Sequence, residues 1–191
     1  MANVDRPFGA RIAQGGTAGM YSARATQYKA DGELYRGAFV KFNADGKVEQ
    51  ANTGDDFVGV VIAVGHTGDQ LEHDTHGRQG FFNPDDLTNK GSSKIPSGEE
   101  GIALVVDDPN AIIQIQAADG VSDLTIGGTY DITNEDEGND IGGMSEVELN
   151  NDQTNNDMIV VGYVDREDND PESEHAEWFV RINPANHVFA S

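Results

Sequence analysis

The sequence predicts an all-β protein: a compact antiparallel β-barrel or sandwich with long loops and an extended N-terminal arm. Two observations predict this fold class. Runs of β-branched and aromatic residues are short and are separated by turn residues, among them many of the 23 glycines. Apolar residues do not repeat with the period of a helix over more than about two turns, and Pro84–Leu87 is the best candidate for a single helical turn.

The N-terminus differs from the rest of the chain. Residues 1–4 show no periodicity, and Pro7 fixes its own φ angle and removes a hydrogen-bond donor. Residues 13–19 have the composition of a flexible linker. We therefore expect residues 1–20 to form an extended arm and linker that need another surface to lie on, and residues 21–191 to form a single β-rich domain.

The first half of that domain contains a hairpin and a buried strand. The runs Leu34–Phe42 and Lys47–Ala51 flank the pair Asp45-Gly46, which is a strong hairpin signal because glycine adopts a positive φ without strain. Residues Phe57–Val64 are almost continuously apolar and predict a buried strand. Gly59 inside this run indicates a bulge or a close backbone approach.

Shorter strands follow, and turn residues separate them. Pro109 would remove a ladder bond from a central strand, so residues 107–110 (Asp-Asp-Pro-Asn) predict a bend or an edge. Residues 134–143 are acidic and predict a turn. The strands predicted around these two segments are Ile102–Val106, Ala111–Ile115, Gly127–Thr133 and Val147–Leu149.

The C-terminal region predicts a second hairpin. Residues Ile159–Val164 are apolar almost throughout, which is typical of a strand covered on both faces. Apolar residues alternate in Trp178–Ile182, which is typical of a strand with one buried face. A polar, acidic excursion that contains Asn169, Asp170 and Pro171 joins the two runs.

Motifs in the same order along the chain carry a resemblance to a known family. The opening reads Ala-Asn-Val-Asp-x-Pro-Phe-Gly at residues 2–9, and the middle contains Val-Asp-Asp-Pro-Asn at residues 106–110 and a strand ending at Gln116. Met144–Leu149 lies where members carry a Gly-x-Ser-x-x-Glu-Leu segment. The close reads Asp-Arg-x-Asp-Asn at residues 165–169 and Trp-x-Val-x-Ile-Asn at residues 178–183. Together these motifs resemble the capsid decoration (cement) proteins of tailed phages. The chain departs from the family at Ile12, where members usually have proline after arginine.

This resemblance implies a function, a partner and a location. Members are structural virion proteins that bind the outer capsid surface and cement neighbouring major-capsid subunits, so we expect no enzymatic activity. The implied partners are the major capsid protein and further copies of this chain, with a homotrimer favoured over a dimer. We expect apolar burial around Phe8 to dominate attachment, with little effect of salt. The candidate contact residues lie in the arm: Asn3, Val4, Pro7, Phe8 and Arg11.

Charge and composition exclude several other classes. The net charge is −22; residues 1–50 contribute +2 (seven Lys and Arg against five acids) and residues 51–191 contribute −24 (five against 29). Such a chain repels phosphate backbones, so we expect no nucleic-acid partner. The chain has no cysteine, so we expect no disulfide framework and no thiol chemistry. No apolar run approaches the roughly 18 residues that a spanning helix needs, so we also expect no membrane partner.

Candidate chemical motifs are weak, and the sequence predicts no metal and no cofactor. His73 and His76 could chelate zinc on a helix, but Gly77 and the polar surroundings favour solvated loop histidines. The acidic segment 165–174 could recruit Ca²⁺, but it lacks the EF-hand spacing. No nucleophile is paired with a base, which disfavours a hydrolase. The alternative function is a virion β-module that binds a host surface, a carbohydrate or Ca²⁺.

Overall fold

The computed structural model describes residues 3–13, 25–66, 94–135, 138–139 and 143–190. These residues form sixteen β-strands and one 3-10 turn, Pro184–Asn186, without an α-helix. The all-β prediction is therefore confirmed. The strands are β1 Arg11–Ile12, β2 Ala25–Asp31, β3 Leu34–Tyr35, β4 Phe39–Phe42, β5 Val48–Gln50, β6 Gly59–His66, β7 Lys94–Ile95, β8 Glu100–Val106, β9 Ile113–Gln116, β10 Thr129–Tyr130, β11 Ile132–Thr133, β12 Gly138–Asn139, β13 Met144–Ser145, β14 Glu148–Leu149, β15 Met158–Tyr163 and β16 Glu177–Ile182.

Five strands close into a small barrel with the order β2-β5-β4-β6-β8. All of its pairings are antiparallel except that between β2 and β5. The predicted hairpin is β4–β5, and its turn has Gly46 at φ 74°. Closure leaves the barrel without an edge strand, so the ladder groups of these strands are paired within the chain.

Gly59 explains how two strands of the barrel approach each other. A Cβ atom at this position would lie 1.9 Å from the carbonyl oxygen of Val106 at the end of β8. Only glycine allows this contact, as expected from its place inside an apolar run. The close backbone approach predicted from the sequence is thus confirmed.

A five-stranded antiparallel sheet, with the order β1-β9-β16-β15-β10, forms the second layer. The predicted C-terminal hairpin is β15–β16, with a bulge between Val160 and Gly162. Trp178 on β16 lies opposite Ile115 on β9 and Tyr163 on β15, and it is buried at the centre of this sheet.

Barrel and sheet share a wall because successive strand residues point to opposite faces. On β4, Val40 packs inside the barrel, whereas its neighbour Phe39 packs against Phe57 and the side chains of the sheet. On β6, Val61 packs inside the barrel, and its neighbour Val60 packs against the sheet. The two apolar cores therefore meet across β4 and β6.

Four predicted segments differ from the structure. The run Leu34–Phe42 forms two strands, β3 and β4, which pair with different partners. Strand β15 is not covered on both faces as predicted, because Val161 and Tyr163 are exposed. The run Gly127–Thr133 forms two strands, β10 and β11, because the chain turns at Asp131 and the two strands pair with different partners. The predicted acidic turn 134–143 contains β12, which pairs with β13. The predicted bend at 107–110 is confirmed and carries the chain from the barrel to the sheet.

Residues 14–19 of the predicted linker and the predicted helical turn Pro84–Leu87 lie outside the described residues. Among the described residues, no helix is long and apolar enough to span a membrane.

Candidate functional site

The N-terminal segment, residues 3–13, lies along the body of the protein. Asn3 fastens its beginning to the loop before β16: the side-chain amide donates to the carbonyls of Asp170 and Glu174, both at 2.9 Å, and accepts from the backbone N–H of Asp170 at 2.8 Å. Its end is β1, which pairs with β9 at the edge of the sheet. The fold therefore joins the two chain ends that carry the family-like motifs.

Gln116, at the end of β9, also connects the N-terminal segment to the loop before β16. Its side-chain amide donates to the carbonyls of Val4 at 2.8 Å and His175 at 3.0 Å, and its oxygen accepts from the backbone N–H of Arg6 at 3.2 Å. Gln116 is buried, so each of these hydrogen bonds replaces one that water would otherwise make.

Phe8 is buried within its own chain. Only 9% of its surface is exposed, and the guanidinium carbon of Arg11 lies 4.1 Å from the centre of its ring. The next residues are held as well, since the N–H of Ala10 donates to the carbonyl of Gly37 at 2.8 Å. The expectation that the arm needs the surface of another molecule is corrected here, because the barrel and the sheet supply that surface.

The five predicted contact residues therefore divide into two groups. Asn3, Pro7 and Phe8 are half-buried or buried in contacts within the chain. Val4, with 60% of its surface exposed, and Arg11 remain accessible to a partner.

An open cleft of about 320 Å³ adjoins this accessible part. It lies where β1, β6 and β13 meet, and it combines an apolar floor with two exposed cations, Arg11 and Arg36. Partial burial lowers the pKa of Arg11, the carboxylate of Glu177 raises it, and the guanidinium of Arg36 lowers it again. The lining residues are Phe8, Ala10, Arg11, Ile12, Arg36, Gly37, Val61, Ile62 and Met144.

A cluster of one histidine and several carboxylates lies on the other side of the segment. His175 Nδ1 is 4.0 Å from a carboxylate oxygen of Asp5, and Nε2 is 3.9 Å from one of Asp119. Glu148, on β14, belongs to the same cluster and is 5% exposed. Burial raises the pKa of Glu148 to about 7; a hydrogen bond from Asn134 opposes the shift, and the charge of Asp5 adds to it.

The metal candidates considered from the sequence are not part of this cluster, apart from Glu174 at the end of the acidic loop. His73 and His76 lie outside the described residues. In the acidic loop, Asp170 accepts from the N–H of Glu172 and the hydroxyl of Ser173, and Asp168 pairs with Arg166 at 2.9 Å. Sequence reasoning missed the cluster because its members lie on distant segments, so no local spacing indicates it.

The motifs of the C-terminal hairpin have structural roles in this arrangement. The side chain of Asn169 donates to the carbonyls of Val164 and Glu177 and accepts from the N–H of Glu177, so it closes the loop between β15 and β16. Arg166 pairs with Glu177 at 2.8 Å. In comparisons with known proteins, no family model, no curated protein and no solved structure matches this chain.

Proposed function

We propose that this protein is a capsid decoration protein: a non-enzymatic virion component that binds the outer surface of a tailed-phage capsid and bridges neighbouring major-capsid subunits. One observation supports this proposal beyond the motifs themselves. The segments that carry the opening and closing motifs and the strand ending at Gln116 assemble in one sheet, where β1, β9, β16 and β15 are neighbours, and Met144–Leu149 touches it through the bridge between Ala117 and Leu149. They form a single structural unit, as expected if the resemblance reflects a shared fold.

The cleft beside Arg11 is the proposed contact with the major capsid protein. Arg11 and Arg36 place two cations at its rim in a chain whose net charge is −22. Charge complementarity therefore favours an acidic segment of the capsid subunit, with its apolar residues against the half-buried Ile12 and Ile62. The expectation that Phe8 anchors the protein is replaced here, because the Phe8 side chain is buried in its own chain.

Bridging does not require a tight individual contact. A decoration protein that touches two subunits, or that associates with its own copies at a symmetry axis, gains avidity from the second contact through a high effective concentration. Repetition over the icosahedral shell then converts a modest affinity per copy into resistance of the whole shell to internal pressure.

Charge reversal in the cleft tests this contact. Expanded capsids prepared without the protein are titrated with wild type, Arg36→Glu and Arg11→Glu, and binding is measured by sedimentation and gel densitometry. Each variant should bind at least about tenfold more weakly, and added NaCl should weaken wild-type binding. This salt effect replaces the small one expected for attachment through Phe8, because the proposed contact is now between charged groups.

Lys29→Glu is the matched control, because it makes the same charge change on an exposed position of β2. Thermal unfolding of all four proteins checks that each is folded. Wild-type affinity in both arginine variants would contradict the proposed contact.

A further inference from the structure

The histidine–carboxylate cluster brings together side chains from three separate parts of the fold. Asp5 comes from the N-terminal segment, Glu148 from β14, and His175 from the residues just before β16. One potential ligand atom from each of these residues lies within 4.8 Å of the other two. Three protein ligands are the number found in open zinc sites, where water takes the fourth position.

Two buried polar atoms of the cluster have no hydrogen-bond partner among the described residues. Glu148 is 5% exposed; its Oε2 accepts from Asn134 at 2.8 Å, whereas its Oε1 is unpartnered. His175 Nδ1 is the other such atom. Buried polar atoms are nearly always satisfied because each unsatisfied one costs free energy, so these two indicate a ligand that binds both.

The charges in the cluster indicate that this ligand is a cation. A carboxylate oxygen of Asp5 lies within 4.8 Å of one of Glu148. Burial is the main cause of the raised pKa of Glu148; the negative charges of Asp5 and Glu146 add to it, whereas the hydrogen bond from Asn134 and the imidazole of His175 lower it. A divalent cation between Glu148 and Asp5 would remove their repulsion and bind the unpartnered oxygen.

The donor set decides the class of cation. Ca²⁺ and Mg²⁺ prefer oxygen ligands, whereas an imidazole nitrogen with carboxylate oxygens suits a first-row transition metal such as Zn²⁺. Zn²⁺ with three protein ligands completes its tetrahedron with water. Metal–ligand bonds of about 2.0–2.2 Å would bring the ligand atoms closer together than they are here, and Asp5, whose side chain is 65% exposed, is free to make that movement.

We propose that Asp5, Glu148 and His175 bind one divalent transition-metal cation, with Zn²⁺ as the best-matched ion, through the two carboxylates and the Nδ1 atom of the imidazole. The bound cation links the N-terminal segment to the sheet beside the hydrogen bonds of Asn3 and Gln116. It thereby adds stability that a chelator removes. This inference is independent of the capsid function proposed above.

Calorimetric titration of the full chain with ZnCl₂, after removal of metals with EDTA and dialysis, tests the site. All titrations use a background protein that carries His73→Asn and His76→Asn, so that Zn²⁺ bound by those two histidines does not contribute to the signal. We expect one equivalent of Zn²⁺ to bind, a higher melting temperature with Zn²⁺ than with EDTA, and no comparable effect of CaCl₂.

Each of Asp5→Asn, Glu148→Gln and His175→Asn should weaken binding at least about tenfold. Asparagine is chosen at position 175 because His175 has φ 58°, a left-handed conformation that asparagine tolerates. Melting curves in EDTA show that each variant is folded.

Asp119→Asn/Glu174→Gln is the matched control. These two carboxylates cluster with the same histidine, and that of Asp119 lies 3.9 Å from its other ring nitrogen, Nε2. This double variant should bind Zn²⁺ as the background protein does. Absence of Zn²⁺ binding, unchanged binding in Glu148→Gln or His175→Asn, or loss of binding only in the double variant would each overturn the proposal.

Discussion

Buried polar side chains, as much as apolar ones, hold the loops of this protein against its strands. Asp157 illustrates this role: its carboxylate accepts from the hydroxyl of Thr53 at 2.7 Å, from the N–H of Gly54 at 3.0 Å and from the N–H of Ile132 at 3.4 Å. Asn3 and Asn169 do the same for the N-terminal segment and the loop before β16. A chain with 37% hydrophobic residues depends on such contacts to order its connections.

The buried carboxyl of Asp157 should titrate above an ordinary aspartate. Burial raises its pKa, and its hydrogen bonds only partly oppose that shift. A raised pKa in the folded state means that folding retains a proton, so this group's contribution to stability declines as the pH rises from about 3.9, the unfolded value, through the raised pKa. Carboxyl carbon NMR shifts across a pH titration measure the pKa directly.

Asp152 provides the opposite case in the same spectra. Its pKa is lowered by hydrogen bonds from the hydroxyl of Thr154 and from the N–H groups of Gln153 and Thr154. Its contribution is present above the unfolded pKa and is lost as the pH falls through the folded value. A pKa of Asp157 at or below that of Asp152 would contradict these two assignments.

Phe8 should contribute to folding stability in the free protein. Phe8→Ala removes a ring that is 9% exposed and lies under the Arg11 guanidinium, so we expect a loss of about 3 kcal/mol in the free energy of unfolding. Val4→Ala, at a residue that is 60% exposed in the same segment, should cost less than about 0.5 kcal/mol. Urea denaturation of both variants makes the comparison, and equal midpoints would mean that Phe8 does not pack as described.

Among the strands, β4 and β6 connect the barrel to the sheet, because each contributes side chains to both apolar cores. The alternation of Phe39 with Val40, and of Val60 with Val61, assigns neighbouring residues to the sheet and to the barrel. The approach of β6 to β8 depends on Gly59, where a Cβ atom would meet the Val106 carbonyl oxygen at 1.9 Å. A change at this wall therefore affects the two cores together.

Gly59→Ala should destabilise the protein by about 3 kcal/mol or more, because the two strands cannot separate without disturbing both cores. Gly46→Ala is the control: it sits in the β4–β5 turn at φ 74° with no atom within 4 Å of an added Cβ, so only the backbone conformation costs about 1 kcal/mol. Thermal unfolding of the two variants decides the point. Comparable losses would show that the close approach at Gly59 is not required.

Local sequence signals predicted most of the strands, but they did not predict which distant strands pair with each other. Asp45-Gly46 and the acidic loop before Trp178 both mark hairpins between neighbouring runs, and both hairpins are present. Barrel closure depends on β2, whose sequence Ala-Thr-Gln-Tyr-Lys-Ala-Asp is mostly polar and has no turn linking it to its partner β8. No sequence pattern within β2 indicates that pairing.

The same distinction applies to the candidate sites. Phe8 is isolated in the sequence, so its burial could not be read from neighbouring residues. The cluster of Asp5, Glu148 and His175 and the cleft between Arg11 and Arg36 likewise depend on contacts between distant segments. The sequence did single out the two chain ends, which the fold joins through the hydrogen bonds of Asn3.

At the scale of the whole molecule, the described strands offer few edges for association. The barrel is closed, and the sheet ends on both sides in strands of two residues, β1 and β10. Short edges are a recognised protection against uncontrolled pairing between chains. Self-association, if it occurs, therefore depends on side-chain surfaces such as the exposed Ile126, Tyr163 and Phe189.

The proposed homotrimer remains a prediction at this scale, since positions of local threefold symmetry on a capsid favour three copies. Light scattering of the free protein should give three times the 20.5 kDa mass of the chain, and the capsid density should show the same symmetry. A dimeric mass with twofold density would support the alternative assembly, and a monomer in both measurements would contradict self-association.

The copy number of this protein in purified virions tests the proposal that it covers the outside of a capsid. Quantitative densitometry of the protein against the major capsid protein should give hundreds of copies per particle, with cryo-EM density on the outer shell surface between neighbouring capsid subunits. A copy number near a dozen, with density confined to vertices or the tail, would contradict the account and favour a module that binds the host surface.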